Sequence, residues 1–241
     1  MVPSSLHEIW VYLAASPLLA LTLTLIAYQI GAFLYRRAGM NPLLNPVMIA
    51  VLLLVGILLV TGTSYQTYFE GAQFVHFLLG PATVALAIPL YRQLRHIRRS
   101  GAAIGAALLL GSLTAAASAI GIAWALGAST EVVVSIAPKS VTAPVAMGIS
   151  KELGGLPSLT AVLVILTGII GAALGPPLLN LLRIRDMRAR GLAMGTASHG
   201  IGTARALQVS EVAGAFAGLA MGLNALATAL LLPLLWKLVF G

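Results

Sequence analysis

The chain has 241 residues, 59% of them hydrophobic and 8% charged, with a mean hydropathy of +1.00, far outside the mixed composition of a soluble domain. Fourteen Lys and Arg against six Asp and Glu give a formal charge of +8, but ten of the fourteen fall in three clusters: Arg36 and Arg37; Arg92, Arg95, Arg98 and Arg99; Arg183, Arg185, Arg188 and Arg190. Each cluster closes a long apolar run, the pattern of cytoplasmic loops between membrane spans and not of a nucleic-acid surface.

Uncharged runs over 9–35, 38–69, 100–130, 153–182 and 212–236 each exceed the roughly 20 residues an α-helix needs to cross the hydrocarbon. No segment keeps the alternating period of a transmembrane β-strand. The expected fold is therefore an all-α polytopic membrane protein forming a single membrane domain over 1–241, since no polar stretch is long enough for a soluble module. The opening "MVPSSLHEIWVYLAASP" lacks a basic n-region and a small-residue cleavage site, so it reads as retained. With the clusters inside, spans are expected over 16–35, 43–61, 72–91, 100–126 and 159–182, and a last one over 212–236. The polar, aromatic stretch 61–72 falls between two spans and reads as an outer loop.

Between Glu131 and Pro157 the chain must leave and return to the same side, and Pro138, Pro144 and two lysines favour a dip over two crossings. A re-entrant helix pair is expected there. A second broken helix is expected in "GLAMGTASHGIGTARALQVS", where Gly195, Gly200 and Gly202 bracket His199. The count is thus about six full spans plus one or two re-entrant or broken pairs. "NPVMIA" at Asn45 echoes "APVAMG" at Ala143, and "ALAIPLYRQLR" at Ala85 echoes "ALGPPLLNLLR" at Ala173; a duplicated repeat accounts for this, and so does chance in apolar sequence. Gly214, Gly218 and Gly222, spaced by four, offer a face for close helix contact and for homo-oligomer formation.

An unpaired ammonium in lipid costs roughly 2.5 to 3.5 kcal/mol at a helix centre, so Lys139 must face protein or water. The prolines at 138 and 144 break the helix, and a new one starting near Ser140 or Thr142 aims free N–H groups at the same spot. Lysine, hydroxyls and a helix N-terminus together suit a carboxylate. The alternative is a lysine that snorkels to the surface from a plain proline turn. His199, with Thr196, Ser198 and Thr203 around it, can donate to a carboxylate or change protonation during transport; alternatively it satisfies a freed carbonyl. Asn41 and Asn45, each before a proline, are helix caps or lining residues, and Asn224 should find a partner across a helix interface. Catalysis is not expected: no His-Glu-x-x-His or Gly-x-Ser-x-Gly occurs, the histidines lack metal-site spacing, cysteine is absent, and no cofactor is implied.

At "PKSVTAPVAMGIS", "GGLPSLTAVLVILTGIIGAALGP" and "GTASHGIGTARALQVSEVAGAFAGLAMGLNALATALLLPLL", and upstream at "NPLLNPVMIA", "YQTYFEGA" and "LLGPATVALAIPLYRQ", the sequence resembles the LrgB/CidB family of bacterial membrane proteins. That family is associated with antiholin-like control of murein hydrolase export and cell lysis, alongside a small LrgA/CidA-type membrane partner. Related domains include the plastidial glycolate/glycerate translocator, and bacterial relatives have been linked to pyruvate movement. The resemblance implies a multi-pass protein of the bacterial cytoplasmic membrane that carries short 2-oxo or 2-hydroxy monocarboxylates. Lys139 would then pair with the carboxylate, and Ser140, Thr142, Ser198, Thr203 and Asn45 would line the site. His199 would assist or carry a proton.

Overall fold

The computed structural model describes residues 17–41, 44–78, 81, 84–85 and 87–240. The amino-terminal stretch expected to be retained thus lies outside the described residues. Every regular element described is an α-helix, and the chain divides into two compact units, Met1–Ala85 and Leu86–Gly241.

In the first unit, α1 (Pro17–Arg37) ends on its two arginines, where cations meet the negative end of the helix dipole. Its Gly31 lets α2 (Pro46–Thr61) approach closely: a Cβ at that position would lie 2.6 Å from the Pro46 carbonyl oxygen. α2 stops at Gly62, whose φ of 66° is the left-handed conformation favoured by glycine. The stretch 61–72, expected as a loop, is instead helical from Tyr65, in α3 (Tyr65–Phe77). Ser64 explains the correction. Its Oγ accepts the Thr67 N–H at 3.1 Å, which caps the helix, while a 2.7 Å hydrogen bond between Tyr68 Oη and Thr24 Oγ1 fastens α3 to α1.

Within the span expected over 72–91, α3 ends at Phe77 with a turn at Leu78, and α4 (Ala87–Arg92) belongs to the second unit; of residues 79–86, Pro81, Val84 and Ala85 are described and are helical. The basic α5 (Leu94–Arg99) follows, then α6 (Gly101–Ala125), α7 (Thr130–Ile136), α8 (Ala143–Glu152), α9 (Pro157–Leu181), α10 (Met187–Val209) and α11 (Glu211–Phe240). Four described helices are long and apolar enough to cross a membrane: Leu18–Arg37, Gly101–Ala125, Pro157–Leu181 and Glu211–Leu238. α2, at 16 residues, reaches only about 24 Å of the roughly 30 Å hydrocarbon thickness.

α6 and α11 run parallel. Ile104 and Leu108 pack with Phe216 and Ala220, Ser112 and Thr228 share a 3.1 Å hydrogen bond, and further along Ala116 and Ile120 pack with Ala229 and Leu232. Beside this pair, two helical hairpins enter from opposite ends. α7 and α8 form the first, with residues 137–142 as its tip. Its two arms meet at the buried Thr160 hydroxyl, which lies 3.0 Å from the Ser135 carbonyl oxygen and 2.8 Å from Ser150 Oγ. The arms contain 7 and 10 residues, too few for either to cross the bilayer.

α10 forms the second hairpin. Before His199 it runs parallel to α11: a Cβ at Gly191 would meet the Ala213 carbonyl, and one at Gly195 the Ala217 carbonyl. After His199 it doubles back, with Thr203 Oγ1 3.9 Å from Met221 Sδ and Leu207 against Gly214. His199 makes the turn with φ 42° and ψ −131°. This hairpin starts at the third arginine cluster and ends beside Glu211, which pairs with Arg92 at 2.9 Å, so both ends lie on the side that the positive-inside rule places in the cytoplasm.

Candidate functional site

The hairpin tips meet halfway along α11. Asn224 stands at that level, 1% exposed, and its Nδ2 donates to the Ser140 carbonyl at 3.3 Å and to the Thr196 carbonyl at 3.1 Å. One amide thus holds residues 56 positions apart, one from each broken segment. At each tip one helix ends and another begins. α8 starts after Thr142, whose side chain makes no capping bond, and the returning arm of α10 starts after His199. Both N-termini carry partial positive charge from unpaired N–H groups.

Lys139 lies part-buried on the first tip, and its Nζ donates to Ser140 Oγ at 3.2 Å. Among the described residues the ion pairs are Arg92–Glu211 and Arg188–Asp186, so no carboxylate answers Lys139. A part-buried ammonium with a single hydroxyl acceptor has unmet demand for an anion. His199 stands on the other tip. Its Nε2 donates to the Val164 carbonyl of α9 at 2.9 Å, leaving Nδ1 as an acceptor when the ring is neutral. The ring fits only because position 168 is glycine, where a Cβ would lie 2.7 Å from its Cε1.

Ser140, Ser198, His199 and Thr203 are buried, and Thr142 is half-buried. The Thr203 hydroxyl donates to the His199 carbonyl at 2.8 Å, bracing the turn from inside. Ser198 Oγ has no hydrogen-bond partner and is directed at Gly171, whose missing side chain makes its space. Ser198 and His199 therefore address different parts of α9, and their adjacency does not make a nucleophile–base pair. Asn45 belongs to the first unit, where its Oδ1 accepts the Val47 N–H at 2.9 Å and the Met48 N–H at 3.4 Å as the cap of α2. No group of three or more metal-ligating side chains occurs among the described residues.

Asn224 finds the partners across a helix interface that its place in an apolar span leads one to expect, but nothing local reveals that its level matches both tips. The face of α9 made by Gly168, Gly171 and Gly175, which receives His199, Ser198 and Met194, was legible in the spacing of "GIIGAALG" and was passed over for the glycines of α11. Of those, Gly214 meets Leu207, whereas Gly222 faces open space.

The model of the LrgB-like family matches residues 24–238. This chain belongs to the LrgB-like family. It is 39% identical over 212 residues to the protein YxaC of Bacillus subtilis, covering 88% of this chain and 92% of that one. It is 36% identical over 223 residues to the holin-like protein CidB of Staphylococcus aureus, covering 92% and 97%. The protein YwbG of Bacillus subtilis is 36% identical over 218 residues, covering 90% and 96%. No solved structure matches. This LrgB-like chain is accordingly a polytopic helical membrane protein.

Proposed function

We propose that this LrgB-like protein is a carrier for small 2-oxo or 2-hydroxy monocarboxylates, of the pyruvate, lactate, glycolate and glycerate class, in the bacterial cytoplasmic membrane. The supporting observation is Lys139: an ammonium without a carboxylate partner, placed where two opposed, broken hairpins meet. Discontinuous helices whose N-termini face an anionic group near the bilayer midplane are a recurring solution among secondary transporters. Lys139 pairs with the carboxylate, and Ser140, Thr142, Ser198 and Thr203 surround it with hydroxyls. His199 assists through its free nitrogen or carries a coupled proton. The reading is non-enzymatic and needs no metal or cofactor; it includes a homo-oligomer.

A second reading follows from the holin-like name of the Staphylococcus aureus relative: an antiholin-like regulator of murein hydrolase export, acting with a small LrgA/CidA-type membrane partner. Uptake of radiolabelled pyruvate, glycolate and lactate into liposomes containing the purified protein, under an imposed pH gradient, separates the two. A carrier gives saturable uptake with competition among these acids, lost in Lys139→Ala and His199→Ala. Leakage that ignores both substitutions supports the lysis regulator.

A further inference from the structure

We propose that Asn224 is the positioning residue of the site, a single amide that locks the two hairpin tips into one body. One of the carbonyls it holds is freed by a break. The helical partner of the Ser140 carbonyl would be the amide of residue 144, which is a proline and has none. The other, of Thr196, lies three residues before the backbone turns at His199 with φ 42°. A primary amide carries two N–H donors, and Asn224 spends both, one on each tip.

Its oxygen has no partner. The side chain is therefore held through its nitrogen alone, in the orientation that serves the two carbonyls. Separating the tips would leave the Ser140 carbonyl bare and the Asn224 amide unspent at a level where water is scarce, so they move together and with α11. Lys139 rides on one tip and His199 on the other, so Asn224 sets their spacing without touching a substrate. Only this last consequence rests on the carrier reading.

Hydrogen exchange read by mass spectrometry on the full chain in lipid nanodiscs tests the lock. Asn224→Leu keeps the volume without donors, Asn224→Asp keeps the shape with at most one donor, and Asn224→Gln keeps both donors. Thr228→Val, one turn on, breaks only the bond to Ser112. The Leu and Asp variants should accelerate exchange in residues 137–142 and 196–203 together, by about tenfold or more. The Gln variant should do so less, and Thr228→Val should spare both segments. Unchanged exchange in the Leu variant, or a change at one tip only, overturns the proposal.

In liposomes, Asn224→Asp should raise the half-saturation concentration for glycolate about tenfold. If the wild type transports nothing, the carrier reading fails while the exchange result still decides the lock. Should the Leu and Asp variants not fold, nuclear magnetic resonance of the ¹⁵N-asparagine-labelled wild type decides it, because the chain has only four asparagines. Slow solvent exchange of both Asn224 side-chain hydrogens supports the lock, and fast exchange of either overturns it.

Discussion

His199 holds a backbone conformation that its side chain disfavours, with φ 42°, a cost of order 1–3 kcal/mol for a residue other than glycine. The Thr203 hydroxyl on its carbonyl and the Val164 carbonyl on its ring keep it there. His199→Gly should relieve backbone strain while losing the imidazole; thermal unfolding should show a stability change of less than about 1 kcal/mol beside complete loss of saturable uptake. A large destabilisation would mean that the ring bond to Val164 dominates, as a purely structural histidine requires. Ser198 is a contrasting neighbour. Its buried hydroxyl has no partner, so Ser198→Ala should be neutral or stabilising in the same measurement, because a buried unsatisfied group costs about 1–3 kcal/mol. Loss of uptake without loss of stability would then place this hydroxyl on the substrate.

At the scale of the element, the second hairpin depends on small residues. Gly171 makes room for Ser198 and Gly195 lets α10 lie on the α11 backbone at Ala217. Gly195→Ala should destabilise the fold by roughly 1–3 kcal/mol, since a Cβ there meets rigid backbone, whereas Gly222→Ala, facing open space, should be silent. A thermal-shift comparison of the two checks the packing. The base of this hairpin is set by Asp186, which accepts the Arg188 N–H at 2.8 Å as helix cap. Hydrogen bonds from the Arg188 side chain hold its carboxyl down to about 2. The carboxylate's contribution is therefore complete above about pH 4, the ordinary carboxylate range, and is lost as pH falls through about 2. Asp186→Asn should remove that acid-side loss. Because the pair is exposed and screened, the whole effect should stay below about 1 kcal/mol in a pH series of melting temperatures.

The breaks in these elements were legible because proline, glycine and lysine are conspicuous in apolar sequence: Pro138, Pro144 and Lys139 mark the first tip, and the glycines around His199 mark the second. The helix at Tyr65 was not legible. Its polar residues look like a loop until Tyr68 finds Thr24, which is 44 residues away. That Asn224 needs a partner across an interface was legible, but the same limit hid which ones, 84 and 28 residues away.

At the scale of the whole molecule, the charge map had already placed the ends of the second unit's elements. Within the second unit, the clusters at Arg92–Arg99 and Arg183–Arg190 and the Arg92–Glu211 pair collect on one side, and from that constraint two hairpins entering from opposite faces follow once each is seen to double back. Their tips meet at the middle of α11, with Lys139 on one and His199 on the other. On the proposed carrier reading, such a site binds a small anion and opens to either face as one part of the fold rocks against another. A lesion-forming helix bundle has no need of it.

Counterflow separates these possibilities most directly. Liposomes containing the protein are loaded with unlabelled glycolate, diluted into a trace of radiolabelled glycolate, and followed over time beside Lys139→Met. A carrier transiently accumulates label above the outside concentration, and the substitution abolishes that overshoot. Label that only equilibrates, at the same rate in both proteins, would contradict the assignment of Lys139 as the carboxylate partner and of this LrgB-like chain as a carrier.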